Sequence, residues 1–121
     1  MLSLLNLNIA NYESIINQNG ITMIDCWASW CNACKDFKPV FEKVAKNFPV
    51  HTFGMLNTME EKELVNLLKI EHIPTLLLYR DGIMLFKQPG YFPEDKLIDI
   101  LMQAESLDMD LVRADIESQK S

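Results

Sequence analysis

Nowhere does this 121-residue chain carry a run of about 18 apolar residues, the length a bilayer span needs. A cluster of Lys and Arg is also missing, and the formal net charge is −6. Phosphate binding depends on cations that displace counterions, so nucleic acid is excluded as the main partner and the acidic balance reads as solubility. The opening Met1-Leu2-Ser3-Leu4-Leu5-Asn6-Leu7-Asn8 lacks a basic segment and a small-residue cleavage site, so the expected address is the cytoplasm, away from membranes. Only 4 Gly and 5 Pro occur, with no repeat, low-complexity stretch or linker, which leaves one ordinary globular domain. Such a length buries roughly two-thirds of the surface its unfolded chain exposes, so folding needs no disulfide staples. Three cysteines are too few for a structural framework in a reducing compartment, and reactive or metal-binding use becomes the expectation.

What is present is Trp30-Cys31-Asn32-Ala33-Cys34-Lys35. Residues three apart on a helix face each other, with Cβ atoms roughly 5–6 Å apart, so the two sulfurs lie within reach of a disulfide. Upstream, Ile21 to Trp27 reads as a strand; downstream, Phe37, Val40, Phe41, Val44 and Phe48 recur at helical spacing. Cys31 therefore stands where a strand hands over to a helix. There the first backbone N–H groups lack partners and the macrodipole is positive, so a thiolate is stabilised and the thiol pKa falls below its free value of about 8.5. Cys31, leading the helix, is expected to be the attacking thiolate and Cys34, one turn deeper, the resolving thiol.

The remaining pattern supplies a frame. Tyr12, Ile15 and Ile16 suggest a first helix ended by Asn19-Gly20, and a long helix runs from about residue 31 to 48 with Pro39 kinking it. A strand over Val50 to Leu56 precedes Thr58-Met59-Glu60-Glu61, which has capping-box form and opens a helix with a buried stripe of Leu64, Leu67 and Leu68. Thr75 to Tyr79 and Ile83 to Phe86 flank Arg80-Asp81-Gly82, a hairpin signal, and a last helix begins near Pro93. The order β-α-β-α-β-α-β-β-α predicts a central mixed sheet, its parallel pairs joined by right-handed crossovers, its antiparallel edge made by the hairpin, both faces covered by helices.

Over residues 1 to about 105 the chain resembles the thioredoxin family, on Asp25, Trp27-Ala28-Ser29-Trp30-Cys31, Cys34-Lys35, Pro39, Ile73-Pro74-Thr75, Asp81-Gly82 and Gly90. The resemblance implies an α/β thioredoxin-like fold with a five-stranded mixed sheet and four helices. It implies thiol–disulfide exchange with disulfide-containing proteins, no cofactor of its own, and resetting by a flavin-dependent, NADPH-using reductase. It further implies a cis Pro74, with the backbone of Ile73 pairing with an extended substrate segment, Trp30 and Gly90 contributing to the substrate surface, and Asp25 helping to move a proton from Cys34.

The chain departs from the family pattern in four places. Asn32 and Ala33 replace the usual Gly-Pro, which predicts a less reducing couple. Cys26 stands where an aromatic residue is common and reads as a buried, inert thiol. Met55 stands where a lysine often neighbours the aspartate, so little opposes the rise in pKa that burial imposes on Asp25. Glu71-His72 precede the proline loop; His72 either faces solvent or lies near Cys31 and tunes it.

Two rival readings exist. A closed zinc site needs four ligands, and Cys26, His51 and His72 are the only further soft candidates, none in paired spacing, so no metal is expected. A scaffold role would draw on residues 106–121, where Leu107, Leu111 and Ala114 either extend the stripe of Leu97, Leu101 and Ala104 or belong to a frayed acidic tail. A monomer is expected.

Overall fold

A computed structural model describes residues 4–120; Met1–Ser3, at the head of the expected domain, and Ser121 lie outside the described residues. The elements are β1 (Leu5–Asn6), α1 (Tyr12–Ile16), β2 (Ile21–Trp27), α2 (Asn32–Asn47), β3 (Thr52–Asn57), α3 (Lys62–Leu68), β4 (Thr75–Arg80), β5 (Ile83–Pro89), α4 (Glu94–Ser106) and α5 (Met109–Lys120). One five-stranded sheet has the order β1-β3-β2-β4-β5. β1 and β2 run parallel to β3, while β4 is antiparallel to both β2 and β5. The antiparallel part is thus larger than the hairpin edge that strand–helix alternation suggests, because the α3 connection returns the chain against the direction of β2.

β2 occupies the middle and is covered on both faces, which is why its sequence is nearly continuous in apolar residues. Met23 joins Phe37, Phe41, Leu78 and Leu97 beneath α2 and α4. Ile24 and Cys26 point the other way, into a cluster with Leu7, Ile15, Leu64 and Leu77 beneath α1 and α3. The alternation of side chains along a strand makes this division obligatory. It puts Asp25, one residue from Cys26, on the α2 face.

The hairpin turn has Asp81 at φ 54° and Gly82 at φ 83°, the left-handed pair that two-residue loops between twisted strands require. Asp81 also accepts from the Gly20 amide at 2.7 Å and donates its own amide to the Gly20 carbonyl at 3.0 Å, tying the turn to the start of β2.

Two helices differ from the sequence expectation. The capping box at Thr58 does not form: Asn57 Oδ1 takes the Met59 and Glu60 amides, the Thr58 hydroxyl donates to the Trp27 carbonyl, and α3 starts only at Lys62. Leu64 is fully buried, whereas Leu67 is exposed. Lys87 Nζ closes the other end of this helix by donating to the carbonyls of Leu68 and Lys69, both at 2.8 Å.

The C-terminal run also breaks, giving five helices rather than four. Arg80 Nη1 donates to the carbonyls of Ala104 (2.7 Å), Glu105 (3.3 Å) and Leu107 (2.9 Å), ending α4. Leu107 turns extended, and Asp108 Oδ1 accepts from the amides of Asp110 and Leu111, starting α5 as an N-cap. Neither a longer α4 nor a frayed tail results. The inward face is Met109, Val112 and Ile116, while Leu107 and Leu111 are exposed. Arg113 lies 3.6 Å from the Asp81 carboxylate, so α5 rests against the hairpin turn, at the opposite end of β2 from Trp27.

Replacing Arg80 by Met keeps the stem and removes three charge-assisted bonds to α4 and the corner. We expect a loss of about 2 kcal/mol in unfolding free energy in urea melts; an unchanged midpoint would show that these bonds do not hold the corner.

Candidate active site

The site is built where β2 ends. The amide and hydroxyl of Thr58 both donate to the Trp27 carbonyl at 2.9 Å, anchoring the end of the strand to the loop after β3. The chain then turns through Ala28–Trp30, and the Cys31 amide meets the Ala28 carbonyl at 3.3 Å. Cys31 is extended (φ −89°, ψ 111°) and is the N-cap of α2. Its carbonyl accepts from the Lys35 amide, the first helical bond, while its Sγ accepts from the Cys34 amide at 3.1 Å. The sulfur thus occupies the place that a Ser or Asp oxygen takes at other helix starts.

Cys31 and Cys34 form a disulfide, with Cα atoms 5.2 Å apart. Their residual exposures are 6% and 3%, so Cys31 is the one nearer to solvent. Ala28 forms one buried cluster with them, and Trp27 and Ile73 pack against it. Trp30 stands 68% exposed next to the pair. Asn32 and Ala33 face solvent on the first turn of α2. Opposite, the Ile73–Pro74 peptide is cis. The Gly90 amide donates to the Pro74 carbonyl at 2.7 Å, with Gly90 at φ 120°, a backbone state that L side chains rarely adopt. Ile73, Pro74 and Gly90 thereby form one ledge beside the cysteines.

Asp25 is fully buried, and neither carboxylate oxygen has a hydrogen-bond partner among the described residues. Its register neighbours, Met55 on β3 and Leu76 on β4, are apolar. Burial pushes its pKa up to about 7, and the Lys38 ammonium opposes that rise. Lys38 is a functional candidate that a comparison confined to Met55 misses. Its signal in the sequence is position: it lies four residues after Cys34, hence on the same helix face. Lys38, Cys34, Met55, Trp27 and Ser29 line a single cavity of about 260 Å³. Met59 is a second residue that the motifs do not single out; its thioether receives the Ser29 hydroxyl at 3.8 Å, beside Trp30.

The other predicted residues lie apart from the pair. Cys26 is a free thiol, fully buried on the α1 face, and burial, with a smaller contribution from the Asp25 charge, raises its pKa far above the usual range. His72 is exposed and borders a pocket with Lys69, Glu71, Thr75 and Lys87, so the structure groups it with the α3–β4 loop rather than with Cys31. His51 stacks on Phe48 and faces Glu105 at 3.6 Å. Among the described residues no group of three or more His, Cys, Asp or Glu side chains is placed to hold a metal.

Comparison with known proteins agrees with this geometry. The family profile described as Thioredoxin matches residues 3–103. A putative thioredoxin 2 of Streptomyces coelicolor is 40% identical over 121 residues, covering 100% of this chain and 90% of that protein. A thioredoxin of Mycoplasmoides gallisepticum is 31% identical over 94 residues, covering 78% of this chain and 94% of its own. Among solved structures, a mutant thioredoxin from Halobacterium salinarum superposes with a TM-score of 0.80 at 23% identity, covering 88% of this chain and 94% of that one. Mitochondrial thioredoxin 3 from Saccharomyces cerevisiae, in its oxidized form, gives 0.76 at 26% identity over 83% of this chain and 94% of its own. With a disulfide-capable pair at the head of α2 on this sheet, the chain belongs to the thioredoxin family and is a thiol–disulfide oxidoreductase that reduces protein disulfides.

Proposed function

We propose that Cys31 is the attacking thiolate and Cys34 the resolving thiol. The observation that carries this reading is the Cys34 amide directed at Cys31 Sγ. In the reduced pair the same amide and the helix dipole favour a negative Cys31 sulfur. That thiolate attacks a substrate disulfide, forming one S–S bond and releasing one substrate sulfur as thiolate. Cys34 then gives its proton to Asp25 and attacks Cys31 Sγ; the Cys31–Cys34 bond forms, the mixed disulfide breaks, and the second substrate sulfur leaves reduced. A carboxyl titrating near 7 suits this transfer, because a general base works best with a pKa close to the operating pH.

The Ile73 peptide is offered for main-chain pairing with an extended substrate segment, with Trp30 and Gly90 as the flanking surface. Asn32 and Ala33, on the first turn of α2, tune the couple, which we place at a less reducing potential than that of a Gly-Pro thioredoxin. The redox unit is residues 1–105, and residues 106–121 are a peripheral extension, whose helix α5 rests on the hairpin turn through Arg113. A flavin-dependent, NADPH-using thioredoxin reductase resets the pair, and the protein works as a cytoplasmic monomer. Among the described residues no helix is long and apolar enough to cross a membrane.

The Cys31→Ser variant is expected to lose insulin disulfide reduction entirely, whereas Cys34→Ser accumulates mixed disulfides; persistent turnover in the first variant would displace Cys31 from its role. Asp25 yields a second expectation. Its folded pKa near 7 lies above the ordinary carboxyl value of 3.8. The folded state therefore holds the extra proton between about pH 4 and 7, and stability declines as pH rises through that window. Asp25→Asn removes the buried charge, so it should stabilise the protein by a few kcal/mol above about pH 7 and by little near pH 4, while slowing release of the mixed disulfide. Equal denaturation midpoints for the two proteins at pH 8 would contradict this assignment.

A further inference from the structure

Next to the Ile73–Gly90 ledge lies a second cavity, of about 250 Å³, lined by Lys69, Glu71, His72, Thr75, Lys87 and Pro89. Its position follows from the chain. His72 and Thr75 flank Ile73-Pro74, and Pro89 precedes Gly90, so half of the lining is made of immediate neighbours of the ledge. Thr75 is the register partner of Pro89, one rung from the Gly90 amide that donates to the Pro74 carbonyl. Ledge and cavity are therefore continuous. The volume suits one side chain rather than a whole small molecule, for which pockets of roughly 300–1,000 Å³ are usual.

The lining is rich in donors. The Thr75 hydroxyl is spent on the His72 carbonyl, which holds the loop around the proline. Lys87 Nζ uses two of its three protons on the carbonyls of Leu68 and Lys69, so this ammonium is held in place with one donor left over. Those carbonyls, at the C-terminal end of α3, offset part of its charge. Lys69 is exposed and supplies the less compensated cation. Among the described residues neither lysine belongs to an ion pair, and the single acid of the lining is Glu71. The result is a local cationic pocket on a chain whose formal net charge is −6. The exchange between Cys31 and Cys34 makes no use of it.

We propose that this cavity is a specificity subsite for an acidic substrate side chain: an Asp or Glu one or two residues from the position that pairs with Ile73 enters it and is held by Lys69 and Lys87, with His72 at its mouth. This deepens the reading of Ile73 as the main-chain partner of an extended substrate segment and rests on it. Each residue of such a segment advances about 3.3 Å, which brings the neighbouring side chains over the residues that adjoin the ledge. Because Lys87 is already held, pairing costs it less side-chain freedom than it would cost an untethered lysine. The long-range field of the protein acts in the opposite sense, since an acidic chain repels an acidic substrate. A preference for acid at one position beside the ledge therefore reports the cavity and not the net charge.

The test uses synthetic peptides with one cysteine in disulfide linkage to 2-mercaptoethanol, and Glu, Gln or Lys placed in turn at the two positions on either side of it. Reduction by the full-length reduced protein is timed for each. At one of these positions the wild type should reduce the Glu peptide about three- to fivefold faster than the Gln peptide, the size expected for exposed ion pairs, and the Lys peptide more slowly than either. The Glu-to-Gln ratio should fall to about one in Lys69→Gln/Lys87→Gln and survive in Lys69→Arg/Lys87→Arg. Because the ratio is taken within each protein, a general loss of activity or stability in a variant cancels. A wild-type ratio near one at every position would overturn the proposal, as would an undiminished ratio in the double Gln variant. Backbone N-methylation of the Gln peptide checks the underlying reading separately: pairing with Ile73 requires that one methylated position slow reduction. If none does, the ledge fails and the subsite with it; if one does while the ratios stay near one, the subsite alone is struck out.

Discussion

A single hydrogen bond, from the amide of Cys34 to the sulfur of Cys31, organises the chemistry of this protein. It exists because Cys31 is the N-cap of α2, and Cys31 is the N-cap because β2 ends at Trp27 and leaves only Ala28–Trp30 to turn into the helix. The strand is fixed from both faces and both edges: β3 and β4 flank it and two apolar clusters cover it. A displacement of β2 along its neighbours would carry the sulfur away from the Ile73–Gly90 ledge. The rigidity of the central strand is therefore what gives the redox pair its aim.

Burial on the α2 face has a second consequence. Asp25 lies between Met55 and Leu76, with no hydrogen bond to either carboxylate oxygen among the described residues, a placement that destabilises the fold once the group ionises. The same burial raises the pKa to about 7, where the group exchanges a proton readily near neutrality. Cys26, one residue on, shows the contrast: equally buried, on the opposite face and in a cluster with Leu7, Ile15, Leu64 and Tyr79, its thiol stays protonated. Strand alternation alone separates the proposed proton acceptor from the buried free thiol.

Much of this is legible in the chain because the relevant signals are local. Ile21–Trp27, the helical spacing of Phe37, Phe41 and Val44, and the Asp81-Gly82 turn each depend on neighbours within a few residues, and each forms as read. What escapes depends on distant partners. Thr58 looks like a cap until the Trp27 carbonyl, 31 residues earlier, claims its hydroxyl. No Gly or Pro marks the α4–α5 corner, because its stop comes from Arg80 on β4 and its restart from Asp108, a residue that reads equally well as part of an acidic surface. The direction of β4 follows from the path of the chain after α3, which periodicity does not encode. In the site, Cys34 and the cis Ile73–Pro74 bond follow from the family pattern, whereas Lys38 does not, since that pattern points to β3 and Met55 rather than to the next turn of α2.

The proposed chemistry rests on an activated Cys31 sulfur, and the rate of iodoacetamide alkylation of the reduced protein as a function of pH measures that most directly. With Cys26 buried, the fast phase reports Cys31. We predict a midpoint clearly below the free-thiol value of about 8.5. A midpoint at or above that value would mean that the head of α2 does not stabilise the thiolate, and the mechanism built on it would fail.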